Sequence, residues 1–94
     1  MNSLREMLNA QENLRVDAAV DRVRVRCTDC TGNGFKRALQ HATVTAQISS
    51  RIKTEGGVSS IDWFETEIAE TLFSSGYDVE GVDPCYEDGT RKIR

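Results

Sequence analysis

Arg22-Val23-Arg24-Val25-Arg26-Cys27 is the stretch on which the fold turns. It alternates residue by residue between basic and apolar. Side chains on a strand point to opposite faces with a period of two. The pattern therefore predicts a half-buried strand, with Val23, Val25 and Cys27 inward and three arginines outward. Upstream the period is helical. Ser3-Leu4-Arg5-Glu6 has the form of a capping box. Leu4, Met7, Leu8, Leu14 and Ala18 then supply an apolar stripe, and a helix is expected over about residues 3 to 19.

Downstream, the basic strand runs into Cys27-Thr28-Asp29-Cys30, and Gly32-Asn33-Gly34 reads as a tight turn. A second helix is expected over residues 36 to 54, with His41, Val44, Ile48 and Ile52 as its stripe and Ala38, Ala42 and Ala46 beside them. The β-branched Thr43, Val44 and Thr45 weigh against it locally. Gly56-Gly57 ends it. The next stretch has two readings. Ile61, Phe64, Ile68 and Leu72 fit one helix capped by Ser60. Alternatively, Val58 to Phe64 forms a strand, with a shorter helix from Glu65 to Ser75. Gly76 ends the helix either way. Tyr77 to Val82 is expected to be a strand, Glu87 to Thr90 a turn, and Arg91 to Arg94 a closing strand. The expected fold is α+β: an N-terminal helix, a basic strand, a central helix, then a small antiparallel sheet with one helix.

This order, carried by Gly56 to Tyr77 and the hairpin to Ile93, resembles the layout of many small uncharacterised proteins encoded by tailed phages. The resemblance implies a strand over Ser59 to Trp63. It also implies a phage or prophage origin, with a virion or host-takeover role, and it adds no catalytic motif.

At 94 residues the chain is expected to form a single domain over 1–94. A chain of this size buries only about two-thirds of its unfolded surface, so a metal or a second subunit would add usefully to its stability. The net charge of −3 conceals a division. Residues 15 to 53 hold eight basic residues against three acids, a net +5, and residues 54 to 90 hold ten acids and no Lys or Arg. The halves are expected either to attract each other or to face partners of opposite charge. No apolar run approaches a membrane span and no signal-peptide pattern opens the chain, so a cytoplasmic protein is expected, in the host cytoplasm if phage-encoded. Three cysteines are an odd count, which favours reduced thiols or metal ligands over a secreted disulfide framework.

Cys27, Cys30, His41 and Cys85 make one Cys3His set, the ligand complement of a structural zinc site. The string CxxCxGxG resembles the zinc-binding repeats of J-domain co-chaperones. Those occur in several copies, and this chain has one, so no chaperone function is carried over. The plainer reading makes Cys27 a core residue, His41 a helix residue and Cys85 a loop thiol. Asp29 between the cysteines disfavours a redox pair.

Arg22, Arg24, Arg26, Lys36 and Arg37 are the candidate residues for binding an anion or a partner. The plainer reading has the arginine face balanced by the protein's own acidic half. The single histidine and the lack of a nucleophile motif give catalysis no support, and no catalytic residue is assigned. The expected function is a small non-enzymatic interaction or inhibitor protein, docking on a protein partner or on copies of itself through complementary charge. The alternative is a zinc-stabilised nucleic-acid-binding module using the same basic residues.

Overall fold

A computed structural model describes residues 4–28, 30–55 and 57–82, and three α-helices account for the regular structure among these described residues. They are α1 (Leu4–Val25), α2 (Gly32–Thr54) and α3 (Ile61–Ser74). α3 packs against both α1 and α2, which touch each other far less. The expected α+β class is therefore corrected to all-helical. Among the described residues there is no strand, only one isolated antiparallel bridge, between Cys27 and Val79.

The basic strand is the central correction. Arg22 to Val25 is the last turn of α1. On a helix Val23 and Val25 point about 200° apart. Val23 is fully buried, whereas Val25 is 87% exposed. The buried face of α1 is Glu12, Val16, Ala19 and Val23, at i, i+4, i+7 and i+11. Val23 completes a stripe begun three turns earlier, and extending a running helix costs far less than starting a new element. Period two over six residues loses to period 3.6 over twelve. The helix then tightens to a stop, with Arg26 N–H donating to Val23 O at 3.0 Å and Cys27 N–H to Arg24 O at 3.3 Å.

α2 begins four residues earlier than expected, at Gly32, whose φ of +86° suits a residue without a Cβ. Its inward face is Phe35, Leu39, Ala42, Ala46 and Ser50. The stripe read from the sequence faces outward: His41 is exposed, and Val44, Ile48 and Ile52 are 47%, 53% and 76% exposed. Ala42, Ala46 and Ser50 let a neighbouring backbone approach closely, and Phe35 and Leu39 fill the space at the turn end. Glu55 ends the helix in the left-handed region at φ 53°.

Ser60 settles the ambiguous stretch. Its Oγ accepts from the Trp63 N–H at 3.1 Å and caps α3. The strand expected over Ser59 to Trp63 is thus the cap and first turn of a helix. Phe64, Ile68, Ala69 and Leu72 form its buried stripe. Beyond Gly76, Tyr77 rests edge-on against Phe35 with centroids 5.4 Å apart, and Val79 and Val82 close the core. The expected strand over Tyr77 to Val82 reduces to the single bridge at Val79. The closing strand expected at Arg91 to Arg94 lies outside the described residues.

Candidate docking face

The short link between α1 and α2 holds both knuckle cysteines. Cys27 and Cys30 are joined as a disulfide there, each partly buried. The link also grips the segment after α3. Thr28 N–H donates to Asp78 O at 3.2 Å, and Glu80 N–H to Arg26 O at 2.7 Å. His41 is not brought to the cysteines. It stands on the exposed side of α2, nine residues past the helix start, roughly 14 Å along the axis. Cys85 lies outside the described residues. Among the described residues no group of three or more His, Cys, Asp or Glu is placed to hold a metal.

The basic residues divide by helical phase. Arg22, in the last turn of α1, and Arg26, just past its end, both reach toward the start of α3. Arg22 Nη1 lies 2.8 Å from Asp62 Oδ1 and 3.4 Å from Glu65 Oε1. Arg26 Nη2 lies 3.0 Å from Glu65 Oε2, and its Nη1 donates to the Glu80 carbonyl at 2.7 Å. Two turns further back, Arg15 donates to the Ser59 carbonyl at 3.1 Å. These arginines bind α1 to the chain's own acidic half. Asp62 is 88% exposed, so its pair is held in high dielectric and adds little stability. A second tie joins α1 to α2: Glu12, almost wholly buried, accepts from Arg51 at 2.9 Å and from Gln47 at 3.1 Å.

Arg24, Lys36 and Arg37 point elsewhere and make no ion pair among the described residues. Arg24 and Lys36 flank a groove of about 330 Å³ between α1 and α2, floored by Val20, Leu39, Thr43 and Val44. Arg37 sits on the outer side of α2, on the same face as Val44 and Ile48. Val44 joins the groove to the exposed stripe that continues through Ile48 and Ile52. The result is a continuous apolar strip edged by cations.

The five basic candidates therefore do not form one site. Two are committed inside the molecule and three border the outer face. The apolar residues of that face were visible in the sequence as a helical stripe. The sequence reading named that stripe and the alanines beside it, but not that the alanine side is the one that goes inside. No helix among the described residues is long and apolar enough to cross a membrane. No protein-family model, curated protein or solved structure matches the chain.

Proposed function

We propose that this chain is a small non-enzymatic docking protein that binds a protein partner on the outer face of its α1–α2 hairpin. The observation that carries this reading is the second stripe of α2. Val44, Ile48 and Ile52 are exposed although the same helix has a complete buried face of its own. A small domain gains nothing in stability from leaving three large aliphatic side chains on one line in water. Their value lies in what they meet. The cations Arg24, Lys36 and Arg37 around them favour an acidic partner surface and would speed its arrival.

The test is a photo-crosslinking amino acid placed at position 48, with position 78 as a control on the far segment, in cells that make the protein. Crosslinks to a defined protein from position 48 and none from position 78 support the reading. Equal labelling at both positions, or none at position 48, sinks it.

A further inference from the structure

We propose that Cys27 and Cys30 form a reversible dithiol–disulfide site, whose redox state sets how firmly residues 77–82 are held on the bundle. The co-reactant is a small thiol of the glutathione class in one direction and its disulfide in the other.

The first observation is where the pair sits. The link that holds the two cysteines is the same stretch of backbone that grips residues 77–82. Just before the pair, Arg26 O accepts from the Glu80 N–H at 2.7 Å, and Arg26 Nη1 donates to the Glu80 carbonyl at 2.7 Å. Cys27 itself bridges Val79. Inside the pair, Thr28 N–H donates to Asp78 O at 3.2 Å. Just past it, Phe35 takes the edge of Tyr77. The gripped segment delivers Val79 and Val82 to the core, where both are buried. A bond between Cys27 and Cys30 therefore restrains the residues that seat this segment. The three helices do not depend on it in the same way, because α3 packs on α1 and α2 through its own buried stripe. Opening the bond loosens the segment before it loosens the bundle.

The second observation is that one backbone suits both redox states. The Cα atoms of the pair are 5.7 Å apart, within the span that a disulfide bridges, so closing it requires no backbone shift. Cys30 Sγ lies 3.2 Å from Cys27 O, so the reduced thiol has an acceptor in place. Both side chains are partly exposed, which gives a thiolate from solvent access to a sulfur. Asp29 between the cysteines opposes a thiol held permanently ionised. A catalytic oxidoreductase needs such a thiol, and a switch does not.

In the reducing direction, a thiolate of the co-reactant attacks one sulfur of the pair. The other sulfur leaves and takes up a proton, and a mixed disulfide forms. A second co-reactant thiol attacks that mixed disulfide and frees the remaining cysteine. Two small thiols become one disulfide, and the pair gains two electrons and two protons.

The test equilibrates the full chain in glutathione buffers of graded ratio at neutral pH. Maleimide mass shifts count thiols, hydrogen exchange read by mass spectrometry follows residues 77–82, and circular dichroism checks the helices. With three cysteines in the chain, the expected count is one thiol in the oxidised form and three in the reduced form. Reduction should speed exchange in residues 77–82 on the order of tenfold, leave residues 64–72 protected, and reverse in oxidising buffer. The double variant Cys27→Ser, Cys30→Ser should exchange at the reduced rate in every buffer, and Cys85→Ser should keep the response. A pair that stays in one state across the whole series overturns the proposal. So does equal exchange of residues 77–82 in both states, a response that Cys85→Ser abolishes, or a reduction that melts all three helices together.

Discussion

Gly81 shows at the scale of a single residue how tightly the segment after α3 is tied to α1. Its φ is +88°, and a Cβ built there would come within 2.8 Å of Arg26 Nη1. That nitrogen is the one bound to the Glu80 carbonyl. Gly81→Ala therefore has two costs: a left-handed backbone for a residue with a Cβ, and displacement of the guanidinium from its acceptors. The expected loss is about 1–2 kcal/mol in urea unfolding. A change below a few tenths would mean that Arg26 swings aside without consequence. Glu12 carries a related lesson. A carboxylate on the inward face of α1 is tolerated because Arg51 and Gln47 reach it from α2.

The helices themselves were partly legible. The central helix and the stop at Gly76 follow from local rules and are present, and of the two readings of the stretch after Gly57 the Ser60-capped helix is the one that forms. The strand expected at Arg22 to Cys27, which does not form, had the stronger local pattern. It lost because tertiary burial read Val23 with Val16 and Ala19 rather than with Val25. On α2 the spacing offered both the larger apolar residues and the alanines beside them, and close packing against α3 favoured the small ones. Local sequence does not carry that choice, because it depends on the shape of the neighbour. Substitution separates the two periods directly. Val23→Ala should cost about 1–3 kcal/mol and Val25→Ala less than about 0.5 kcal/mol, both read from urea midpoints. Equal costs would restore the strand phase. The candidate metal set was less legible still, since CxxC spacing alone does not say whether two sulfurs join each other or share a metal.

For the whole molecule, the disulfide joins residues only three apart in sequence, so it restricts the unfolded chain little compared with a long-range bridge. Reduction should lower stability by at most about 2 kcal/mol and leave the helical circular dichroism intact at room temperature. Loss of the helical signal on adding dithiothreitol would show that the bundle depends on that link. The bundle is otherwise closed by α3, which lies against both arms of the hairpin and gathers the arginines of α1 on its acidic first turn. The charge division of the sequence thus becomes an internal seam, with the unspent cations left at the rim of the outer groove.

Trp63 is the only tryptophan in the chain. It stands at the junction of α2 and α3, with Lys53 Nζ 5.4 Å above its ring and Phe64 edge-on at 5.3 Å. Its fluorescence is therefore a label-free reporter of one event, the seating of α3 on the end of α2. An emission change that precedes loss of helix during denaturation would time the parting of that joint separately from the melting of the helices.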